Sequence, residues 1–306
     1  GKASTAIKNS NHQLKGKLEC GGQDHFYLEG QIALTIPQED KNFLIYSSTQ
    51  HPSETQQIVA KVLKQKFNSI NVKVRRIGGG FGGKETQSFL FAAISSIAAK
   101  KLNKPVKLRI DRDDDMIMTG KRHQFEFDYE VGFSNKGKIN GIKILMASNC
   151  GISADLSGAI NDRAIYHIDN AYYIPNLELI SHRCKTNTVS NTAFRGFGGP
   201  QGMFCIENII DHISHHLKKD PAEVRAQNFY KKNTNNITHY GMQIEDNIIE
   251  EIFNNLKIKS KYIKRKKEIE KFNKSNSILK KGIAITPVKF GISFTTTHLN
   301  QAGALV

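Results

Sequence analysis

Hydrophobic positions along the chain follow two different periods, which predicts an irregular succession of strands and helices. Apolar residues alternate with polar ones over 25–37 and 42–48, as in half-buried strands. Over 52–67 they recur every three or four residues, as on one face of a helix. A β-branched run at 71–77 predicts a further strand, and the Ala-, Ile- and Leu-rich stretch 85–101 predicts a helix that follows a glycine-rich loop.

The middle of the chain adds a hairpin and two more helices. The Asn135-Lys136-Gly137 turn joins two long alternating segments, and Asp220 is placed to cap a short helix that begins at Pro221. The remaining predicted elements are strands at 105–110, 124–131 and 138–147 and a helix at 201–218. Because no regular strand–helix–strand repeat connects them, we predict an α+β fold with mixed sheets and packed helices.

A run of basic residues divides the chain near its end. Residues 257–281 hold eleven Lys or Arg and two Glu, so they contribute +9 of the net charge of +16. We interpret 1–255 as one domain, 256–281 as a basic helical connection and 282–306 as the start of a second domain. The sequence ends in apolar residues without a cap or a polar tail, so we expect that second domain to be cut short.

The high net charge raises the question of nucleic-acid binding. Its concentration in one stretch argues against that function, because such a run is typical of a solvated helix face. Lysine also outnumbers arginine, and lysine lacks the planar fork that recognises phosphates and bases in pairs of hydrogen bonds. A nucleic-acid-binding module built on 257–281 is therefore the remote alternative.

Cysteine usage and hydropathy exclude several classes of protein. No stretch of eighteen apolar residues predicts a membrane span, and residues 1–6 lack the apolar core of a secretory signal. The four cysteines are far apart in the sequence and form no Cys-x-x-Cys pair; they are Cys20, Cys150, Cys184 and Cys205. This spacing fits neither a zinc ribbon, nor an iron–sulfur site, nor a disulfide framework, and it favours a cytoplasmic protein with free thiols.

The glycine-rich loop allows more than one interpretation. Gly78, Gly80 and Gly83 satisfy G-x-G-x-x-G between a predicted strand and a predicted helix, and Asp111 at the end of the next strand is placed like the ribose-binding acid of a dinucleotide fold. The same loop nearly satisfies the phosphate-loop pattern, but Glu85 stands where the hydroxyl residue belongs. A second glycine loop at 193–202 favours a large anionic ligand held between two backbones.

These two loops carry a family resemblance. Gly78-Gly-Gly-Phe-Gly-Gly-Lys-Glu85 and Asn191-Thr-Ala-Phe-Arg-Gly-Phe-Gly-Gly-Pro-Gln-Gly202 resemble the signature loops of the xanthine dehydrogenase and aldehyde oxidase family. Further segments resemble the same family in the expected order, at 21–29, 47–50, 162–164, 290–295 and 300–303. The resemblance covers almost the whole chain and implies the cofactor-binding fold of a molybdenum hydroxylase.

The resemblance implies a molybdenum cofactor whose metal is ligated by a pterin dithiolene, with or without a cytosine dinucleotide. Gln50 would hydrogen-bond the oxo group of molybdenum. Phe81, with Gly80 and Gly82, would bring backbone amides close to the cofactor, and only glycine permits such an approach. Arg195 would hold the second loop at the metal, mainly through its backbone. Gln50, Phe81 and Arg195 would thus lie near molybdenum without ligating it.

The resemblance also implies which residues meet the substrate. Glu85 and Arg163 match the positions that are Glu and Arg in the purine-oxidising branch of the family. Phe197 and Phe294 would enclose the purine ring, and Thr295 would hydrogen-bond it. The implied reaction is hydroxylation of hypoxanthine to xanthine and then urate, with oxygen from water and hydride transfer to a sulfido ligand of molybdenum. A related N-heterocycle or aldehyde hydroxylase is the alternative.

Parts of such an enzyme have no counterpart in the sequence. The family's general base is a glutamate near the far end of the molybdenum region, and no segment here matches its motif. A 2Fe–2S cluster and FAD would reside on a partner subunit or domain, and the full enzyme would be a homodimer or a dimer of heterodimers. We therefore expect this chain alone to be inactive.

Two further patterns have simpler explanations. Residues 111–115 imitate a calcium loop, but Met116 and Arg122 occupy the positions that need glycine and glutamate, so we interpret the segment as a capped turn. The histidines of the 201–218 helix share one face at ligand-like spacing; they are His212, His215 and His216. Without further zinc-binding context, we interpret them as ordinary surface residues.

Overall fold

The computed structural model describes residues 2–291. Its strands are β1 His12–Cys20, β2 Ile32–Pro37, β3 Phe43–Ser47, β4 Ile70–Lys73, β5 Val106–Arg109, β6 Phe125–Phe133, β7 Ile139–Gly151 and β8 Leu177–Lys185. Its α-helices are α1 Ala3–Lys8, α2 Pro52–Leu63, α3 Ser88–Leu102, α4 Arg112–Met118, α5 Ser157–Tyr166, α6 Gly199–Leu217, α7 Pro221–Asn228, α8 Ile249–Lys259 and α9 Tyr262–Ser275.

The described strands form two sheets, each of mixed direction. The smaller sheet has the order β4-β3-β2-β5, in which β3 and β4 run parallel because α2 connects them as a crossover. The larger sheet has the order β1-β6-β7-β8, with antiparallel pairing except between β7 and β8. This mixture, with helices packed on the sheets, confirms the predicted α+β fold.

Each sheet buries one face against helices. On β6, residues 125, 127, 129, 131 and 133 point inward, and they meet the isoleucines of α6 in the main core. The smaller sheet packs on α2 and α3, with Ile45 and Val59 fully buried between them. Burying side chains of this size stabilises the fold by about 1.5–3 kcal/mol each. The two glycine loops therefore start from rigid supports.

Several predicted boundaries are wrong at the glycine loop. The strand predicted at 71–77 ends at Lys73, and the helix predicted from 85 begins only at Ser88. Between them, Gly79 and Gly82 adopt left-handed φ values of 96° and 100°, which no regular strand or helix accommodates. The strand predicted at 25–37 likewise begins only at Ile32.

The basic stretch 257–281 is also more divided than predicted. It contains the end of α8 and the separate helix α9, because Lys261 takes a left-handed conformation with φ 51° between them. In the segment that begins at 282, the described residues 282–291 form neither a helix nor a strand. No described helix is long and apolar enough to cross a membrane.

The sheet topology argues against a dinucleotide fold. The helix after the glycine loop, α3, leads to β5, which pairs with β2 rather than beside β4 as a doubly wound sheet requires. Asp111 does not face the loop as a ribose-binding acid. Its side chain accepts a hydrogen bond of 2.9 Å from the backbone nitrogen of Asp114 and caps α4, so the predicted capped turn opens a short helix.

Candidate functional site

The two glycine loops are bonded to each other. The backbone nitrogen of Arg195 donates to the carbonyl oxygen of Phe81 over 2.9 Å. Gly82 makes this approach possible, because a Cβ at that position would lie 2.7 Å from the carbonyl oxygen of Ala193. Loops that are about 110 residues apart in sequence thus form one backbone surface.

Gln50 is held against the first loop from the end of β3. Its Oε1 accepts hydrogen bonds from the backbone nitrogens of Gly82 (2.9 Å) and Lys84 (3.2 Å), and its own backbone nitrogen donates to the carbonyl of Lys84 (2.8 Å). These contacts orient the side-chain amide unambiguously. Among the residues that the structure describes, Nε2 finds no acceptor, so it stays available as a donor.

Phe81 projects from this surface instead of joining the core. It is 48% exposed and has a φ of 54°, a left-handed conformation that is unusual for a bulky residue. Within residues 2–291, the backbone nitrogens of Gly80 and Phe81 donate to no oxygen, whereas that of Gly82 is already bonded to Gln50. The backbone nitrogens of Gly80 and Phe81 thus have no partner among these residues, and Gly82 allows the close contact with the second loop.

Arg122 and His25 support the second loop from behind. The guanidinium of Arg122 donates to the carbonyl of Arg195 over 2.8 Å and lies 3.9 Å from the ring centre of Phe194. His25 Nε2 bonds the carbonyl of Ala193 over 2.6 Å, and its ring stacks on Phe194. Burial lowers the pKa of Arg122 to about 10, which keeps it charged near neutral pH. Neither residue lies in a sequence motif that indicates this supporting role.

Lys84 does not serve a phosphate. Its side chain is fully buried, and Nζ donates to the carbonyl of Glu29 and to Ser48 Oγ, each over 2.7 Å. The Tyr27 ring lies 4.7 Å from the same nitrogen. A phosphate-loop lysine must reach its ligand, so this inward orientation excludes that interpretation of the first loop.

Glu85 follows the first loop directly, at the start of the turn that leads into α3. Burial, together with the smaller effects of the charges of Asp155 and Glu54, raises the pKa of its carboxyl to about 7. Near neutral pH such a carboxyl exists in both protonation states, so it can donate or accept a hydrogen bond.

Arg163 lies on α5, which packs tightly against the second loop. A Cβ on Gly198 would lie 2.0 Å from the carbonyl of Ile160, and one on Gly202 would lie 2.4 Å from that of Ala164. These two glycines allow the loop and the start of α6 to contact the α5 backbone. The helix that carries Arg163 is therefore fixed to the loop that carries Arg195 and Phe197.

The segment after the basic helices docks on the far end of α5. Arg163 donates to the carbonyl of Gly291 over 2.7 Å, and His167 Nε2 accepts from the nitrogen of Gly291 over 3.0 Å. Burial lowers the pKa of both side chains, so His167 is neutral and donates through Nδ1 to the Arg163 carbonyl. The predicted substrate residues Phe294 and Thr295 lie outside the described residues, three and four positions beyond this docked segment.

The histidines of α6 have partners away from the two loops. His212 Nδ1 bonds Tyr129 Oη over 2.6 Å, and His216 Nε2 bonds His12 Nδ1 over 3.2 Å. Over residues 2–291, no three His, Cys, Asp or Glu side chains are grouped to hold a metal ion. A metal at the glycine loops would accordingly take its ligands from a bound molecule.

A family model matches most of the chain. Residues 1–229 match the family model described as a molybdopterin cofactor-binding domain. The chain belongs to this family. It is 43% identical to xanthine dehydrogenase of Calliphora vicina and 44% identical to xanthine dehydrogenase/oxidase of Gallus gallus, and the matches span 100% of this chain but 22% of each relative. The predicted resemblance is thus confirmed for a chain that spans less than a quarter of these relatives.

Solved structures support the same fold. Aldehyde oxidoreductase from Desulfovibrio gigas superposes with a TM-score of 0.79 at 23% identity, over 91% of this chain and 30% of that one. CO dehydrogenase from Oligotropha carboxidovorans gives a TM-score of 0.80 at 19% identity, over 89% of this chain and 35% of that one. At such identities the likeness concerns the fold alone.

The residues present fit the cofactor that the family name implies. The cofactor is anionic and rich in oxygen and sulfur acceptors, and the first loop offers unbonded backbone donors at the buried Gly80 and the exposed Phe81, together with Nε2 of Gln50. A nest of such donors is the usual protein surface for an anionic group. Close contact between the loops also requires the glycines that the sequence supplies.

Proposed function

We propose that this chain forms part of the molybdenum-cofactor region of a cytoplasmic purine hydroxylase of the xanthine dehydrogenase type, which converts hypoxanthine to xanthine and xanthine to urate. Glu85 carries the proposal: it is a half-buried carboxyl with a pKa of about 7 directly behind a cofactor loop. The identity to xanthine dehydrogenases supports it.

The cofactor would be held mainly by backbone. Gln50 would donate from Nε2 to its oxygen, and the nitrogens of Gly80 and Phe81 would donate beside it. Arg195 would act through its backbone, which is bonded to Phe81 and to Arg122. When bound, the molybdenum cofactor supplies a two-electron oxidation in which water provides the oxygen.

The substrate would be recognised by charge and by ring contacts. A purine offers ring nitrogens and carbonyls, and Glu85 can either donate to them or accept from them. Arg163 would stabilise negative charge that develops on the ring, an effect worth about 3–4 kcal/mol for a well-placed donor. Phe197 and Phe294 would enclose the ring, and Thr295 would bond its edge.

The rest of the enzyme would lie outside this chain. Residues 1–255 would form the first molybdopterin-binding domain, 256–281 the connection and 282–306 the start of the next domain. The 2Fe–2S cluster, FAD and the general-base glutamate would be provided elsewhere, in a dimeric assembly. Electrons from the substrate would leave through those partners.

Substitution of the two charged residues tests the proposal. In the full-length enzyme, Glu85→Val with Arg163→Met should lower kcat/KM for xanthine by more than about a hundredfold, because the purine loses partners that an aldehyde does not need. Turnover of an aromatic aldehyde should fall much less. Steady-state rates would be normalised to molybdenum content.

A matched control is available on the larger sheet. Glu178→Val with Lys143→Met removes an exposed ion pair of 3.0 Å and changes the same numbers of charges. It should leave both activities close to wild type. If the site variant retained xanthine turnover within a factor of a few, the purine assignment would be wrong. If the wild-type enzyme preferred aldehydes or another N-heterocycle, the alternative hydroxylase would replace it.

A further inference from the structure

Asp155 lies between the turn that follows Glu85 and the start of α5, the helix that carries Arg163. Its Oδ2 accepts from Thr86 Oγ1 over 3.1 Å and from Gln87 Nε2 over 3.4 Å, so it holds the two residues that directly follow Glu85. Thr86 Oγ1 also bonds Thr192 Oγ1 over 3.2 Å, at the start of the second glycine loop. No sequence motif assigned a role to Asp155.

The same residue precedes the helix that carries Arg163. Asp155 stands two positions before α5, and its backbone is left-handed, with a φ of 41°. Among non-glycine residues, Asp and Asn tolerate that conformation best. Its carboxylate therefore joins the Glu85 turn to the start of α5 across 70 positions of sequence.

Two negatively charged groups add to the effect of burial on the pKa of Glu85. They are Asp155, from the loop before α5, and Glu54, from α2, and Asp155 raises that pKa more than Glu54 does. Glu54 Oε2 lies 2.8 Å from His51 Nδ1. Burial raises the pKa of Asp155 as well, although hydrogen bonds from Thr192 and Thr86 act in the opposite direction.

We propose that Asp155 is a positioning residue for the purine site: its carboxylate fixes the turn that follows Glu85 to the start of the helix that carries Arg163, and it places a negative charge at that turn. This inference rests on the proposed function, because it assigns a task to Asp155 only if Glu85 meets a purine. A carboxylate at 155 would keep Glu85 able to donate a hydrogen bond near neutral pH.

The test is the pH dependence of the full-length enzyme with Asp155→Asn. Asparagine keeps an acceptor for Thr86 and tolerates the left-handed backbone, but it removes the charge. The limb of the kcat/KM profile near pH 7, measured with hypoxanthine because xanthine itself ionises in this range, should move to lower pH by roughly half a unit to one unit. The direction is the same whether Glu85 acts protonated or ionised, because its pKa falls in either case.

Three variants separate charge from structure. Thr86→Val breaks the hydrogen bond but leaves the charge, so it should lower turnover without moving the limb. Glu54→Gln removes the lesser charge and should move the limb in the same direction by a smaller amount. Asp155→Gly keeps the left-handed backbone and removes the carboxylate, so it should reproduce the shift if Asp155→Asn does not accumulate.

A second readout does not depend on turnover. Calorimetric titration of xanthine into molybdenum-depleted full-length protein, from about pH 5.5 to about pH 9, should show a pH-dependent affinity whose midpoint moves with Asp155→Asn. If neither the limb of the kcat/KM profile nor the midpoint of the affinity moved in Asp155→Asn and Asp155→Gly, the role of Asp155 would be overturned. The purine assignment would remain intact. Absence of xanthine binding and turnover in the wild-type protein would instead refute the proposed function.

Discussion

Gly82→Ala tests whether contact between the two glycine loops holds the cofactor. The new Cβ would lie 2.7 Å from the carbonyl oxygen of Ala193, 2.8 Å from its carbon and 3.0 Å from the nitrogen of Phe194. All three are backbone atoms, so no side chain can rotate away. The loops must separate, and the hydrogen bond from Arg195 to Phe81 is the first contact to be lost.

The expected effect has two sources. An alanine at a φ of 100° costs about 1–2 kcal/mol relative to glycine. Loss of the hydrogen bond between the loops costs about 1 kcal/mol more. If both costs fall on the cofactor-bound state, about 3 kcal/mol corresponds to cofactor loss that is faster by roughly a hundredfold.

The assay is the rate at which the full-length protein loses molybdenum, measured by elemental analysis after incubation and desalting. Gly241→Ala is the matched control, because Gly241 also has a positive φ of 85° but nothing lies within 4 Å of a Cβ there. It should lose molybdenum at the wild-type rate. If Gly82→Ala also retained the wild-type rate, contact between the loops would not be what holds the cofactor.

Two further predictions concern titration. Glu85→Gln should remove the limb near pH 7 from the kcat/KM profile for hypoxanthine, a substrate that itself ionises at higher pH, because burial raises the pKa of Glu85 to about 7; a limb that persisted would belong to another group. Burial lowers the pKa of His123 to about 4, so the folded state resists a proton that the unfolded chain binds near pH 6.5. Stability should therefore be complete above about pH 6.5 and fall by up to about 3 kcal/mol as the pH drops to about 4. Thermal unfolding of wild type and His123→Gln over this range should show a flatter acid limb in the variant, and parallel curves would contradict the assignment.

Local signals predicted the elements that depend on local sequence. The sequence predicted helices α2 and α6 from their periodicity, and it predicted the β6–β7 hairpin from its turn. It also predicted the helix cap at Asp220, whose side chain accepts a hydrogen bond of 2.8 Å from the nitrogen of Ala222. Strands β1 and β8 were missed because they lie at the edges of the larger sheet, where partners rather than propensity fix them. Helix α5 was missed because its mixed sequence has only a weak apolar face.

The candidate site was predictable only where a motif carried it. Gln50, Phe81 and Arg195 were identified from their resemblance to family segments, and the structure places all three at one junction. The contact from His25 to Ala193 spans 168 positions, and that from Arg122 to Arg195 spans 73. These long-range contacts depend on the tertiary fold, so no local sequence pattern could predict them.

The most direct test of the account is urate formation from xanthine by the purified full-length protein, expressed per atom of molybdenum found in the same sample. We predict that every preparation contains molybdenum and forms urate in proportion to it. A protein that is fully loaded with molybdenum, oxidises an aldehyde and forms no urate would contradict the purine assignment.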